Sequence, residues 1–204
     1  MTAPEKKAAI RRRLMAERRA LEPSDRDAWT EAIAARLERL AAWRDARVVH
    51  AYVGAIEGEV ATREIVRRAL AAGRRVVCPR VAWDPPRLES YAIRSLDELV
   101  EGRRGRWEPD PAHAEPVPDA ALGLVVVPGL AFDRRGWRVG FGAGLYDRFL
   151  SRVDAPTVAL AFSLQILDRL PVEPHDVPVD WIVTEGETIA CRAIREHPER
   201  EAMP

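Results

Sequence analysis

The 204-residue chain has only two cysteines, Cys78 and Cys191, far apart in sequence and outside any C-x-x-C or Cys/His cluster. That spacing excludes a cysteine-based zinc site and a secreted disulfide scaffold, and it fits a reducing compartment. Neither sign of charge is in excess: 32 Lys plus Arg face 32 Asp plus Glu. No global field therefore draws the chain onto nucleic acid or an anionic membrane, and any anion site has to be local. Lysine is nearly missing, since Lys6 and Lys7 leave 30 of the 32 basic residues as arginine, a bias read as base composition rather than function. Long apolar runs are missing too. The longest, Leu122 to Phe132, covers 11 residues and contains Pro128 and Gly129, well short of the ~18 needed to span a bilayer. The N-terminal stretch runs through Lys6, Lys7 and Arg11 to Arg13 without the apolar segment of an export signal, which predicts a cytoplasmic protein.

What is there is an ordinary globular composition, 47% hydrophobic and 31% charged, of a length that fits one domain over residues 1–204. Residues 1–45 read as a helical pair. The first helix runs from Pro4 to Leu21, with Lys7, Arg11 and Arg18 on neighbouring positions and Ile10, Leu14 and Leu21 as apolar contacts. Ser24 is the expected N-cap of the second, with Asp27 in its first turn. Trp29, Ile33, Leu37, Leu40 and Trp43 then form an apolar stripe that packs on the body. Beyond residue 45, short apolar runs at Val48–Val53, Val76–Val81, Leu124–Val127 and Thr157–Phe162 alternate with helical segments at Ala61–Ala72 and Leu145–Val153. Leu88–Ile93 and Trp181–Thr184 are further strands, and Gly73 closes the first crossover helix. This alternation predicts an α/β fold: three α/β/α layers, a mostly parallel Rossmann-like sheet, and the two N-terminal helices packed on it. Between Trp83 and Pro118 the prolines and glycines predict excursion loops, and residues 197–204 a flexible tail.

The chemistry concentrates between Leu124 and Arg148. A buried strand ends in Pro128-Gly129, a turn follows at Arg134 to Gly136, and Gly140, Gly142 and Gly144 precede a helix. Successive glycines before a helix expose backbone N–H groups beside the positive end of the helix dipole, which is what a phosphate requires. The spacing is G-x-G-x-G, which is neither the dinucleotide pattern nor a P-loop. An NAD-linked oxidoreductase is disfavoured on that ground. Asp147, in the first helical turn, suits a Mg2+ ion on bound phosphates or a helix-dipole partner, and Arg138 suits a phosphate counter-charge.

In these residues the chain resembles the 5-formyltetrahydrofolate cyclo-ligase family, also called 5,10-methenyltetrahydrofolate synthetases. The likeness runs through Lys7-Ala-Ala-Ile-Arg11, Glu59-Val-Ala-Thr62, Trp107-Glu108-Pro109, Pro128 to Asp133, Gly140 to Asp147, Leu170-Pro171, His175-Asp176 and Thr184-Glu185. The resemblance implies an ATP- and Mg2+-dependent ligase that closes 5-formyltetrahydrofolate to 5,10-methenyltetrahydrofolate through a phosphorylated formyl group. Lys7 and Arg11 would then contact ATP phosphates, and Arg138, Val139, Gly140, Phe141, Gly142, Ala143, Gly144, Leu145 and Tyr146 would line ATP. Arg138 and Tyr146 would act in catalysis. Phe141 through Leu145, with Gly54 and the pterin-recognising Glu59, would face the folate, and Asp147 and Asp176 would hold Mg2+. Two features depart from the family pattern: Leu145 stands where a first tyrosine is common, and Gly54 where a larger apolar residue is frequent. A diverged relative that keeps ATP but acts on another substrate, or on none, is the alternative. A nucleic-acid module built on Arg11, Arg12, Arg13, Arg18 and Arg19 is opposed by the zero net charge and by Glu5, Glu17 and Glu22. The expected partner is a reduced folate, with no nucleic acid or membrane, and the expected state is a monomer.

Overall fold

The computed structural model describes residues 2–54 and 58–196 apart from the Arg104 side chain; the expected tail at 197–204 lies outside the described residues. The chain opens with helices α1 (Ala3–Arg19), α2 (Pro23–Arg39) and a short α3 (Ala41–Asp45). Next come β1 (Val48–His50), α4 (Arg63–Ala71), β2 (Arg75–Trp83), β3 (Pro86–Ile93), β4 (Leu99–Glu101), β5 (Trp107–Pro109) and β6 (Glu115–Pro116). The second half holds β7 (Leu124–Val127), β8 (Ala131–Asp133), β9 (Arg138–Val139), α5 (Leu145–Leu150), β10 (Thr157–Leu160), β11 (Ile166–Leu167), β12 (Trp181–Val183), β13 (Thr188–Ala190) and α6 (Cys191–Glu196).

The main sheet has the order β13-β12-β10-β7-β1-β2-β3-β6. Its centre, from β12 to β2, is parallel throughout, and antiparallel strands extend both edges. Alternation along a strand sends successive side chains to opposite faces. Leu124 and Val126 thus join a core with Ile33 and Leu37 of α2, Trp43 of α3 and Ile65 of α4, while Val125 and Val127 join a second core with Phe149 of α5 and Cys191 of α6. The three α/β/α layers follow from that division, as the sequence pattern predicts. A second small sheet, β11-β8-β9, sits against α1, where Leu14 packs with Ala131, Val139 and Leu170.

Local chemistry explains where elements begin and end, including four departures from expectation. Thr2 and Glu5 form a reciprocal capping box at the start of α1. The second helix starts at Pro23 with Glu22, not Ser24, as N-cap, because the locked φ of proline is already helical and its missing N–H is not needed at the first position. The apolar stripe is intact, but the helix breaks at Leu40, whose extended ψ of 126° separates α2 from α3 while Trp43 still reaches the same core. At the end of α4, Gly73 and Arg74 donate to the Leu70 and Ala69 carbonyls, the paired bonds of a Schellman closure. Strand β1 stops at His50 rather than Val53; the chain then leaves the ladder, and Val53 keeps a single bridge to Trp107. The Trp83–Pro118 stretch holds more strand than the expected Leu88–Ile93: β3 starts at Pro86, and short β4, β5 and β6 lie between its turns. Strands β2 and β3 pair from Val76↔Ile93 to Trp83↔Pro86, since an antiparallel hairpin needs only the two-residue Asp84-Pro85 turn and no crossover helix. Pro86, Pro109 and Pro116 sit at strand ends, where no ladder N–H is required, and Pro85, Pro111 and Pro118 lie outside the strands.

Candidate active site

Lys7, Arg11, Leu14 and Arg18 follow one another at helical spacings of four, three and four and share one face of α1. That face turns into the protein: Lys7 and Arg18 are buried with Leu14. The Lys7 ammonium donates to Glu173 Oε2 at 2.9 Å and to Asp176 Oδ1 and Oδ2 at 2.8 and 2.6 Å, so it is not on a solvated basic face. One turn later, Arg11 Nε donates to the Gly140 carbonyl at 2.8 Å.

The glycine loop runs from β9 into α5, and its start is held by the buried Asp133. That carboxylate accepts the N–H groups of Arg135, Trp137 and Leu170, which fixes the turn between β8 and β9. Gly142 and Gly144 have φ of +104° and +61°, the left-handed region in which side chains are strained, and Gly144 is the N-cap of α5 without a side-chain cap. The buried Arg138 guanidinium donates to Asp147 Oδ1 at 2.8 Å, and the Val177 N–H reaches the same oxygen at 3.3 Å. Arg138 also lies 5.9 Å from the Tyr146 ring centroid. Burial lowers the Arg138 pKa, partly opposed by Asp147, and the group stays a cation at neutral pH. The Tyr146 hydroxyl is buried and has no hydrogen-bond partner among the described residues. Burial raises its pKa, helped by the nearby Glu59 charge, so it stays a neutral phenol.

These groups surround a cleft of about 440 Å³ that continues to Glu59, Tyr52, Trp83, Arg106 and Trp107. Lys7, Arg11, Glu59, Arg138, the whole stretch from Val139 to Tyr146, Asp147 and Asp176 all reach its wall. Gly54 is not among the described lining residues: its N–H is on Thr62 Oγ1 at 2.9 Å, and a Cβ there would meet the Val60 carbonyl at 3.1 Å. A larger residue there would need the Val60 carbonyl to shift by a few tenths of an ångström. Leu145 faces the cleft while also packing against the second core.

Sequence reasoning missed several wall residues. Glu173, the second anion on Lys7, lies two residues before the His175-Asp176 pair and had no spacing signal of its own. Tyr52 read as a strand residue and Trp83 as the start of the loop region, yet both reach the cleft. Arg18, which is not among the lining residues but bonds to Gly58 beside Glu59, did carry a signal, its place on the Lys7 face. Among the described residues, four cations (Lys7, Arg11, Arg106, Arg138) and five carboxylates (Glu59, Glu108, Asp147, Glu173, Asp176) line the cleft. A polyanion entering alone would meet a wall net acidic by one charge. One arriving with a divalent cation would not, and Asp147 Oδ2, opposite the oxygen that holds Arg138, takes no bond among the described residues. Asp147 Oδ2 is a hard oxygen donor of the kind a Mg2+ ion takes, whereas both Asp176 oxygens hold Lys7, and Glu173, His175 and Asp176 bring one ligand atom each within 4.8 Å of one another.

An α/β layer fold with a glycine loop, buried cations and convergent carboxylates around one cleft defines an enzyme of the phosphate-handling type. A sequence model of the 5-formyltetrahydrofolate cyclo-ligase family matches residues 3–185, and the chain belongs to that family of ligases. It is 33% identical over 196 residues to the 5-formyltetrahydrofolate cyclo-ligase of Mycolicibacterium smegmatis, covering 93% of this chain and 98% of the relative. With the Escherichia coli 5-formyltetrahydrofolate cyclo-ligase it shares 29% identity over 174 residues, 83% of this chain and 95% of the other. The NMR structure of Aquifex aeolicus 5,10-methenyltetrahydrofolate synthetase superposes with a TM-score of 0.82 at 32% identity, covering 91% of this chain and 93% of that one. A synthetase structure from Mycoplasma pneumoniae shares the fold at 21% identity, with a TM-score of 0.70 over 88% and 98% of the two chains.

Proposed function

We propose that this chain converts 5-formyltetrahydrofolate to 5,10-methenyltetrahydrofolate at the expense of ATP, with Mg2+, releasing ADP and phosphate. The observation that carries this reading is the continuity of the cleft: one cavity is bordered by Lys7, Arg11, Arg138 and the glycine loop at one end and by Glu59, Tyr52 and Trp107 at the other. A formamide oxygen is a poor leaving group. In this reading it attacks the γ-phosphorus of ATP, ADP departs, and the formyl carbon becomes an imidate-like centre bearing phosphate. Nitrogen 10 then attacks that carbon, loses its proton, and expels phosphate as the ring closes. No protein nucleophile is needed, and the work of the chain is positioning and charge neutralisation.

Lys7 and Arg11 bind the phosphates, which requires Lys7 to exchange one or both of its carboxylate partners for phosphate oxygen. Arg138, held by Asp147, faces the charge that develops on the transferred group. The Tyr146 hydroxyl, buried and protonated, donates a hydrogen bond into the site. Glu59 accepts paired hydrogen bonds from the aminopyrimidine edge of the pterin. Asp147 and Asp176 are the residues that would hold Mg2+, whose chemistry there is neutralisation of phosphate charge. The reading extends to a cytoplasmic, monomeric enzyme of one domain acting on a reduced folate.

The test is to mix the purified protein with 5-formyltetrahydrofolate, ATP and MgCl2 and follow the near-ultraviolet absorbance of the methenyl product. A rise that needs both nucleotide and metal is expected. Its absence in protein that still binds ATP overturns the folate assignment and points to a diverged relative, with Leu145 as the residue to examine first.

A further inference from the structure

Arg18 is an arginine with 1% exposure on the α1 face that also carries Lys7 and Arg11, which line the cleft. It points elsewhere. Its Nε donates to the Gly58 carbonyl at 2.7 Å, and its Nη1 lies 3.4 Å from the Gly129 carbonyl at the end of β7. Gly58 is pressed against the helix itself: its φ is +79°, and a Cβ there would meet the Arg18 carbonyl oxygen at 3.1 Å. The next residue is Glu59, whose negative charge stabilises the Arg18 cation against the burial that lowers its pKa. On the far side of this loop, Thr62 Oγ1 donates to the Tyr52 carbonyl and accepts the Gly54 N–H, at 2.5 and 2.9 Å. Between these attachments, nothing in the proposed chemistry uses Arg18, although a guanidinium so deeply buried is costly unless its bonds are made.

We propose that Arg18 is a positioning residue for Glu59: by gripping the Gly58 carbonyl and facing the carboxylate charge, it sets Glu59 at the folate end of the cleft and ties it to the helix that carries Lys7 and Arg11. The inference rests on the folate reading above. It assigns to α1 contacts at both ends of the cleft, with Arg18 acting on the folate end alone. Orientation of a recognition carboxylate is felt in substrate affinity, because a displaced acceptor leaves the hydrogen bonds to its ligand long or unmade.

The experiment measures KM for 5-formyltetrahydrofolate and for ATP, with kcat, in wild type, Arg18→Met, Arg18→Lys, Glu59→Gln and the two double variants. Melting temperatures are recorded alongside. Arg18→Met keeps the aliphatic bulk and is expected to raise the folate KM about tenfold, leaving ATP KM and kcat within about twofold. Arg18→Lys, which keeps the charge, is expected to recover most of that loss, leaving a rise of about threefold. In the Glu59→Gln background either Arg18 change should add less than twofold, since the group being positioned is already altered. Should Arg18→Met not fold, the lysine variant alone is read against the same background. The proposal is overturned if the folate KM of the folded variants is unchanged, if both substrates and kcat suffer together, or if the Arg18 and Glu59 effects multiply. An active wild type with indifferent Arg18 variants sinks this inference alone, whereas a wild type without turnover or folate binding sinks it together with the folate reading.

Discussion

The two ends of the cleft are built on different rules. Around Lys7 each deeply buried charge has an opposite charge inside the protein: Lys7 lies between Glu173 and Asp176, and Arg138 on Asp147, although the Arg138 Nε has no hydrogen-bond partner among the described residues. Around Glu59 the wall is less complete. Arg106 approaches Glu108 at 3.3 Å without a hydrogen bond from its Nε, the Tyr146 hydroxyl is unpartnered among the described residues, and Trp83 and Trp107 are 37% and 40% exposed. A buried ion cannot be left bare, so the first end holds its charges ready and only exchanges partners when a ligand arrives. Aromatic faces and a phenol tolerate waiting for one, so the second end is completed by its ligand. The contrast teaches that removing a group from the Lys7 end disturbs both ligand and protein, while the Glu59 end registers changes mainly in the ligand.

The strongest way to break the contrast is Asp147→Ala. It frees Arg138 and removes a carboxylate proposed to hold Mg2+, and the expected loss in kcat is on the order of 10²- to 10³-fold with the fold retained. Steady-state kinetics at saturating ATP with circular dichroism checks it, and near-normal activity at ordinary Mg2+ would remove the metal assignment. Lys7→Met comes next. It leaves Asp176 and Glu173 facing each other without their cation, so the ATP KM should rise roughly 30-fold and stability should fall by about 3 kcal/mol, read by urea unfolding. An unchanged ATP dependence would return Lys7 to a structural ion pair.

Away from the cleft, the buried His50 provides a control that involves no ligand. Both ring nitrogens lack partners among the described residues, the ring lies 4.8 Å from Phe149, and burial lowers the pKa from 6.5 to about 3. The folded state refuses a proton that the unfolded chain accepts below pH 6.5, so stability is retained above that pH and is lost as pH falls through the window toward 3. Between pH 6.5 and 5 the expected loss is about 2 kcal/mol. Comparing wild type with His50→Leu by urea unfolding at pH 7 and pH 5 isolates this contribution: the leucine variant should gain on wild type by that amount at the lower pH. A gap independent of pH would show that His50 is protonated in the fold. The smallest effect is expected from Leu145→Tyr, which restores an aromatic to the folate-facing loop. Because Leu145 also packs into the second core, the folate KM should move by no more than about threefold; a larger improvement would mark the substitution as the main determinant of substrate fit.

Much of the architecture was legible because it is local. Leu124–Val127 is apolar at every position, as a strand covered on both faces must be, and the stripe from Trp29 to Trp43 has helical spacing. The Trp83–Pro118 stretch was legible as a strand at Leu88–Ile93 but not at β4, β5 and β6, for another reason. Its prolines signal interruption, yet edge strands and hairpin ends accommodate them, and whether a segment becomes an edge depends on the open side of a sheet that the segment itself does not encode. The glycine loop could be placed for the same local reason that made the strands readable: Gly142 and Gly144 occupy backbone conformations that few other residues tolerate.

By itself, then, the sequence determined the α/β class, the order of most elements, the loop suited to phosphate and the placement of Lys7, Arg11 and Arg18 on one helical face. Only the tertiary structure decided which way that face turns and what it meets. Lys7 finds Glu173 and Asp176 at separations of 166 and 169 residues, and Arg18 finds Gly58 across 40. Periodicity says which side chains share a face, because it follows from the pitch of one helix. Which carboxylate or carbonyl that face will touch follows from the packing of β8, β9 and the loops beside them, and no local spacing carries that information.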